Sequence, residues 1–326
     1  MSSPHSLEPN AQTSDDVLPH LWAWRAAGVR VALLTLIGID GGSPRPLGAQ
    51  MAVAEDGRSV GYLSGGCLER SLALQAVSAI RENQSRQVRY GRGSPYLDIA
   101  LPCGSGLDIH IVQNPSDEAI ERAKAAASRR LPFALEFDLQ TGAVTFDSAP
   151  GQRTGELIRS RGVFRRTYWP GLRLHVIGSG PAIPAIAAVA QAAGLHVDVA
   201  SPDALTLAAA QSIHVATRPM PSPRVPELAD ADRFTAVVLA FHDHEREAPL
   251  LADVMQSRCF YIGALGSRAV HAARLHALAL ARVPPAAMAR VRGPVGLIAG
   301  AKSVGPLAVG IVAEILAAAK ADGLID

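Results

Sequence analysis

The feature that most constrains the fold is a regular alternation of strand and helix patterns in the second half of the chain. Strand-like apolar runs read LRLHVIG, LHVDVAS, FTAVVLAF and CFYIGAL, and helical patterns such as PAIPAIAAVAQAAG, EREAPLLADVMQS and SRAVHAARLHALALAR lie among them. Alternating strands and helices favour a doubly wound parallel sheet with helices on both faces. We therefore predict an α/β chain whose residues 171–326 form a Rossmann-like domain.

The first half reads as a smaller, mixed α+β domain over residues 15–147. VRVALLTLIG is strand-like, AQMAVAEDGRSVGYLSGG is typical of a hairpin around an Asp-Gly turn, and CLERSLALQAVSAIREN has helical spacing. Residues 1–14 are polar, without the basic and apolar regions of a signal peptide, which predicts a disordered leader. Residues 148–170 are rich in Pro, Gly, Arg and Ser, so we predict a linker there.

Composition excludes several classes of function. The 326 residues carry a formal net charge of +2 and show no basic stripe, so we expect no nucleic acid partner. No run approaches the length of uncharged apolar residues that spans a membrane, so we expect no membrane association. Three cysteines are too few for a disulfide framework and suit a reducing cytoplasm.

The glycine turn HVIGSGPAI follows a strand and opens a helix, which is the context of a dinucleotide fingerprint. Gly178 can form the tight turn, and Gly180 lets the backbone approach a pyrophosphate. The third fingerprint position is Ile183, and Ser201 stands where an acid would hold the ribose, with Asp203 two residues later. Nucleotide or phosphate binding and a purely structural turn both remain open.

Two further strand ends carry polar residues. FHDHE places His242 and Asp243 where open α/β sheets bind ligands, so they are candidates for a substrate or a metal; the alternative is a polar loop that caps the next helix. In IGALGSR we expect Gly263 and Gly266 to shape a turn. Ser267 and Arg268 then stand at a helix start suited to an anion, or simply cap it.

Two cysteines lie against glycines. SGGCLER puts Cys67 after Gly65 and Gly66 at a helix start, where the helix N-terminus should stabilise a thiolate; PCGSG puts Cys103 in an irregular loop. Neither belongs to a zinc-type CxxC pair, and the nearest candidate base is His110. The pattern favours soft-metal or sulfur chemistry on a bulky anionic ligand, whereas Cys259 opens a buried strand and is expected to be inert.

Taken together, these segments resemble the XdhC/CoxI family. The resemblance rests on GGSPRPLGAQM, GYLSGGCLE, PCGSGLDIHI, VIGSGPA, FHDHE, YIGALGSR and GPVGLIAGAK, from about Leu18 to Leu316. It implies a cytoplasmic chaperone, without turnover of its own, that binds the molybdenum cofactor, a molybdopterin sometimes in its cytosine dinucleotide form. The chaperone assists sulfuration of the cofactor with a cysteine desulfurase. It then delivers the cofactor to the large subunit of a molybdenum hydroxylase of the xanthine dehydrogenase or aldehyde oxidoreductase type.

By this resemblance the ligand site falls on two sets of residues. The first half supplies Ser43, Arg45, Gly65, Gly66, Cys67, Glu69, Cys103 and Gly104, with the two cysteines as molybdenum contacts or sulfur carriers. The second half supplies Gly178, Gly180, His242, Asp243, Gly263, Gly266, Ser267 and Arg268. This sequence departs from the family at several places, with GSGPAI for GAGHVG, SP for DP, FHDH for THDH and a divergent GLIAGAKSVGPLA segment. These departures make nicotinamide binding less expected.

Two enzyme hypotheses remain as alternatives. One is an NAD(P)-dependent oxidoreductase, suggested by the Rossmann pattern alone. The other is a thiol-based sulfur-transfer enzyme, favoured if the Cα atoms of Cys67 and Cys103 lie within about 7 Å of each other. The apolar C-terminal helix also predicts a homodimer, since two-fold dimers are the commonest oligomers.

Overall fold

The structure is a computed structural model that describes residues 16–94, 104–151, 154–220, 228, 231–241 and 247–325. The chain divides into two compact units, Met1–Pro170 and Gly171–Asp326, called here the first and second units. The first is mixed α and β, and the second has the parallel sheet that the strand–helix alternation predicts.

The first unit contains two antiparallel sheets. Its five-stranded sheet has the order β3-β2-β1-β5-β4 and its four-stranded sheet the order β7-β6-β9-β8. The strands of the first sheet are β1 (Val31–Asp40), β2 (Gln50–Ala54), β3 (Ser59–Gly61), β4 (Arg86–Gly91) and β5 (Gly106–Gln113). Those of the second are β6 (Phe133–Asp138), β7 (Val144–Asp147), β8 (Gly155–Ile158) and β9 (Val163–Tyr168). The helices are α1 (Leu18–Ala26), α2 (Glu69–Glu82) and α3 (Asp117–Ser128).

Both faces of the five-stranded sheet are covered, which explains why side chains on both faces of β1 are buried from Val31 to Ile37. Leu34 and Leu36 belong to the core that α2 closes, together with Leu72 and Ile80. Leu33 belongs to the opposite core, which contains side chains of α1, α3 and the four-stranded sheet. The hairpin predicted around the Asp-Gly turn is confirmed, because β2 pairs with β3 in antiparallel register.

The linker predicted at 148–170 is wrong, since this segment contains β8 and β9. β9 pairs with β6 over its whole length, and with β8 from Val163 to Arg166. Its charged residues have partners that are distant in sequence: Arg165 Nη1 donates to Glu136 Oε1 at 2.8 Å and Arg165 Nη2 to Asp147 Oδ2 at 2.9 Å. Arg166 Nη1 donates instead to the carbonyl oxygens of Thr154 and Thr167. An arginine-rich composition is therefore compatible with a strand here, because both arginines have partners in the folded unit.

The second unit is a six-stranded parallel sheet of order β12-β11-β10-β13-β14-β15. Its strands are β10 (Arg173–Gly178), β11 (His196–Ser201), β12 (Ala216–Pro219), β13 (Thr235–Ala240), β14 (Tyr261–Ala264) and β15 (Val291–Arg292). Its helices are α4 (Ala182–Ala192), α5 (Ala204–Ser212), α6 (Glu247–Gln256), α7 (Arg268–Leu280), α8 (Pro285–Met288) and α9 (Val304–Ala321). The order reverses between β10 and β13, the switch point where open α/β sheets bind ligands.

The C-terminal helix α9 packs against α4 and β14 within the second unit. Of the helices in the described part of the chain, it is the one long and apolar enough to cross a membrane by length and composition. One face of it is buried, at Ala308, Gly310, Ile311, Val312, Ile315, Ala318 and Ala319, as in the core helix of a globular domain, whereas Val309 on another face is half exposed.

Candidate functional site

Three connections of the first unit leave the five-stranded sheet at the same end. β1 ends where β2 and β5 begin, with Asp40 opposite Gly106, and β3 ends opposite the start of β2, with Gly61 opposite Met51. The first connection, residues 41–48, is called here the arginine loop. The second, residues 62–68, is called the cysteine loop. The third consists of the residues just before β5. Antiparallel register thus brings together segments that are far apart in the sequence.

The Glu69 carboxylate holds the cysteine loop in its shape. Its Oε1 accepts hydrogen bonds from the backbone N–H groups of Leu63 at 2.9 Å and Ser64 at 2.8 Å, and its Oε2 accepts one from Leu68 N at 3.1 Å. The Ser64 hydroxyl also lies 3.0 and 2.9 Å from the two carboxylate oxygens. Partial burial raises the pKa of Glu69, but the hydrogen bonds from Ser64 and Leu63 outweigh burial and lower this pKa overall.

The middle of the cysteine loop is open to solvent. Gly65 and Gly66 have φ values of +81° and +111°, which L side chains rarely adopt. A Cβ atom at Gly65 would meet only Pro44, at 3.7 Å, and one at Gly66 would meet nothing within 4 Å. The Cys67 side chain that follows is exposed and precedes the first turn of α2, as the sequence predicts.

The arginine loop lies directly beside the cysteine loop. Arg45 Nη1 donates to the Tyr62 hydroxyl at 3.1 Å, and the guanidinium carbon lies 4.3 Å from the centre of the Tyr62 ring. The backbone N–H of Arg45 donates to the Ser43 hydroxyl at 3.2 Å. The structure therefore brings Ser43, Arg45 and the Gly-Gly-Cys segment together, although about 20 residues separate them in the sequence.

The second cysteine segment approaches the same end of the sheet. Gly104 is exposed with φ +63°, and the Cα of the next residue, Ser105, lies 3.5 Å from the position of a Cβ on Gly41. Cys103 lies outside the described residues, so its distance from Cys67 is not given by the structure.

His110, the candidate base in the sequence, is a buried residue of the sheet. It lies within β5, opposite Thr35 of β1, and is 1% exposed. Burial lowers the pKa of His110 to about 4, so its ring is neutral at physiological pH. Its buried position inside the sheet separates it from the exposed thiol of Cys67.

A charged network at the same sheet end has no local signal in the sequence. Arg89 Nη1 donates to both oxygens of Asp108, at 3.0 and 2.9 Å, and its Nη2 donates to Asp40 at 3.2 Å. A Cβ on Gly106, within the GSGLD segment, would lie 2.6 Å from Arg89 Nη2. This glycine thus makes room for an arginine, which sequence reasoning missed because the two residues meet only across paired strands.

The glycine turn of the second unit has the predicted place, after β10 and before α4. Gly178 has φ +149°, and a Cβ there would overlap the carbonyl oxygen of Ala240. Ser201 at the end of β11 is buried, and its hydroxyl accepts the N–H of Asp203 at 3.0 Å. Asp203 in turn caps α5. Among the described residues at the end of β11, no acid is therefore left to hold a ribose.

The IGALGSR segment needs one correction. Gly263 does not shape a turn, because it lies within β14, where a Cβ would come within 2.7 Å of the Tyr261 ring. Gly266, with φ +140°, does form the turn, and the Ser267 hydroxyl caps α7 by accepting Val270 N at 3.3 Å. Arg268 is the exposed first residue of α7. His242 and Asp243 lie outside the described residues.

A cleft of about 340 Å³ opens at the switch point of the second unit. Its lining is mostly apolar and consists of Ser179, Pro181, Ala182, Ala240, Phe241, Leu265, Gly266, Val304 and Leu307. Within the described residues, no group of three or more His, Cys, Asp or Glu side chains could hold a metal ion.

Comparison with known proteins gives consistent matches along the chain. The family described as XdhC and CoxI matches residues 24–91, and the XdhC Rossmann domain matches residues 174–315. The chain is 33% identical to the molybdenum cofactor insertion chaperone PaoD of Escherichia coli (strain K12) over 89% of this chain and 83% of that protein. It is 25% identical to a Bacillus subtilis (strain 168) protein described as a probable xanthine dehydrogenase component, over 87% of this chain and 92% of that protein.

A solved structure also shares the fold. The crystal structure of a Bacillus halodurans protein, described as a xanthine dehydrogenase, superimposes with a TM-score of 0.71 at 21% identity. The match covers 93% of this chain and 96% of that one, so both units take part in the likeness.

Proposed function

Because this chain belongs to the XdhC and CoxI family, we propose that it is a chaperone that binds the molybdenum cofactor and inserts it into a molybdenum hydroxylase. The cofactor is the cargo of such a protein. The proposal draws on the function of the PaoD relative and on the geometry of the first unit, where the family's cysteine segment is intact.

The observation that carries the proposal is the shape of the cysteine loop. Glu69 binds the N–H groups at both ends of the loop, and Gly65, Gly66 and Cys67 between them are exposed. Two glycines without side chains let a bulky ligand approach the backbone closely. The adjacent Cys67 sulfur is a soft ligand of the kind that suits molybdenum or carries sulfur.

The arginine loop supplies the charge that an anionic pterin phosphate needs. Arg45 is held beside the cysteine loop by the Tyr62 ring and hydroxyl, which fixes the position of its guanidinium. Guanidinium groups bind phosphate oxygens through charge-assisted hydrogen bonds, and Ser43 adds a hydroxyl in the same loop. We assign cargo binding to Ser43, Arg45, Gly65, Gly66 and Cys67, with Glu69 as the residue that positions the loop.

The finer points of the proposal follow from family membership. We propose that a thiol reductant releases sulfide from the persulfide of a cysteine desulfurase, and that this sulfide replaces a terminal oxo ligand of the bound cofactor, which leaves as water. Cys67, together with Cys103 and Gly104, protects the cofactor meanwhile. The client is then the large subunit of a xanthine dehydrogenase or aldehyde oxidoreductase type enzyme, and the cargo includes the cytosine dinucleotide form. We also propose that the protein works in the cytoplasm and has no turnover of its own. The homodimer stays a prediction from the apolar pattern of the C-terminal helix.

Cargo retention tests the proposal. Purified protein is mixed with molybdenum cofactor and desalted, and molybdenum and pterin are measured per chain. We expect near-stoichiometric retention in the wild type, loss in Cys67→Ala and weaker retention in Arg45→Ala. The matched controls are Cys259→Ala, whose thiol is buried in the second unit, and Arg58→Ala, in the β2–β3 turn at the opposite end of the sheet.

Two results would contradict the proposal. One is no retention by the wild type. The other is equal loss in the Cys67 and Cys259 variants, which would trace the effect to folding. Sulfuration is measured separately, as cyanide-labile sulfur on the released cofactor after incubation with a cysteine desulfurase and cysteine, and it should require Cys67.

A further inference from the structure

The Rossmann fold of the second unit implies a dinucleotide ligand. We therefore ask whether the backbone of its glycine turn could bind the pyrophosphate of such a ligand. In that arrangement the backbone N–H groups at the start of the first helix point at the pyrophosphate and donate to its oxygens. The relevant residues here run from Ser179 to Pro184, at the start of α4. Binding requires that these N–H groups be available.

Within this turn the N–H groups are already used by the chain. Ser179 N donates to the carbonyl oxygen of Ala240 at 3.1 Å. Gly180 N, at the position that would face a phosphate, donates to the Thr206 hydroxyl at 3.0 Å. Further along, Ile183 N donates to the Gly180 carbonyl at 3.3 Å.

Two prolines remove further donors from the same turn. Pro181 and Pro184 have no N–H group. Of the six residues from 179 to 184, only Ala182 keeps an N–H that these contacts do not use. A single donor is much less than the set of amides that holds a pyrophosphate in this fold.

The Thr206 hydroxyl is itself fixed as an acceptor. It donates its proton to Asp203 Oδ2 at 2.5 Å, so its lone pairs are directed to other donors, among them Gly180 N. Asp203 also accepts from Leu205 N at 3.3 Å and Thr206 N at 3.0 Å, which fixes its carboxylate on α5. The acid nearest the ribose position is thus engaged in the same network.

We propose that this turn binds no dinucleotide, because the Thr206 hydroxyl and the Ala240 carbonyl take the places that phosphate oxygens would occupy. A chain of two hydrogen bonds, called here the lock, joins α5 to the glycine turn: it runs from Gly180 N to the Thr206 hydroxyl and on to the Asp203 carboxylate. The second unit has kept the Rossmann topology and has lost its phosphate site. This inference concerns the second unit alone, so it stands or falls independently of cargo binding at Cys67.

The experiment follows the backbone amides of the full-length protein by NMR. NADH, NADPH and ADP are added up to millimolar concentration, and we expect no shift of the Ser179, Gly180 or Ala182 amides. In Thr206→Val the Gly180 amide loses its acceptor, so its hydrogen exchange should accelerate about tenfold. Thr206→Ser, which keeps a hydroxyl, should stay near the wild type.

The matched control is Thr217→Val, which makes the same chemical change on β12, where the hydroxyl accepts from Gln211 instead. It should leave the Gly180 amide unchanged. Saturable shifts of the Gly180 amide with NADH or NADPH would overturn the proposal. Unchanged Gly180 exchange in Thr206→Val would also overturn it, because the lock would then not exist. Molybdenum retention through Cys67 is measured separately and is unaffected by either outcome.

Discussion

Replacing Glu69 with alanine should remove the support of the cysteine loop and destabilise the first unit by about 3 kcal/mol. The carboxylate accepts the N–H groups of Leu63, Ser64 and Leu68, and all three residues are buried. A hydrogen bond to a charged group contributes about 1.5–3 kcal/mol, and a donor left unsatisfied costs a similar amount. In Glu69→Ala, water can reach part of the opened loop and replace one of the three acceptors. The expected loss of unfolding free energy is therefore about that of two hydrogen bonds, about 3 kcal/mol.

Tryptophan fluorescence in urea measures this loss selectively. The three tryptophans, Trp22, Trp24 and Trp169, all belong to the first unit. With a urea dependence of about 2 kcal/mol per molar, a loss of about 3 kcal/mol lowers the midpoint by about 1.5 M. The control Glu118→Ala removes an exposed carboxylate that only approaches Arg122, at 3.5 Å, and should shift the midpoint by less than about 0.5 M.

The same substitution should change the pH dependence of unfolding. The pKa of Glu69 is lowered in the folded protein, so its contribution is fully present above the pKa of the unfolded chain and is lost as pH falls through the folded value. The wild type should therefore lose stability more steeply than Glu69→Ala on acidification below about pH 4. Equal urea midpoints for Glu69→Ala and the wild type would refute the assignment of loop support to this carboxylate.

Three other perturbations test separate parts of the structure. Gly178→Ala should prevent folding of the second unit, seen by circular dichroism, because the new Cβ would overlap the Ala240 oxygen; Gly194→Ala, with nothing within 4 Å, should cost only about 1 kcal/mol. The pKa of buried His110 is lowered to about 4, so folding stability should fall as pH drops from about 6.5 to 4, and His110→Gln should flatten that part of the urea-midpoint profile. Tyr168→Phe removes the 2.7 Å hydrogen bond to buried Gln50 and should cost about 1–2 kcal/mol in urea unfolding.

Part of the candidate site could be predicted from local patterns. The Gly-Gly-Cys sequence indicates an open turn before a helix, and the exposed Cys67 in front of α2 agrees with it. The role of Glu69 in shaping the loop could not be predicted, because a carboxylate in the first turn of a helix is usually interpreted as a favourable charge there. Its partners Leu63 and Ser64 become visible only once the chain has turned back on itself.

The two segments that the sequence predicts wrongly share one cause, which is contact over long sequence separation. The composition around β9 predicts a linker, because Arg165 finds its partners Glu136 and Asp147 only after β6 and β7 have joined the same sheet. The glycine pattern predicts a turn at Gly263, although the missing side chain there makes room for the Tyr261 ring. Composition and local spacing carry no record of such partners.

The alternation of strands and helices, and with it the parallel sheet of the second unit, could be predicted from the sequence because hydrophobic periodicity is a local property of the chain. The sequence also shows where the glycine and cysteine turns stand along the chain. Which groups of those turns are open to a ligand depends on contacts made by the folded chain. Antiparallel register places Arg45 beside the cysteine loop. In the second unit, α5 packs against α4, and the Thr206 hydroxyl accepts the N–H of Gly180 in the glycine turn. The reason is that the availability of a donor depends on every group within hydrogen-bonding distance, and most of those groups come from elsewhere in the chain.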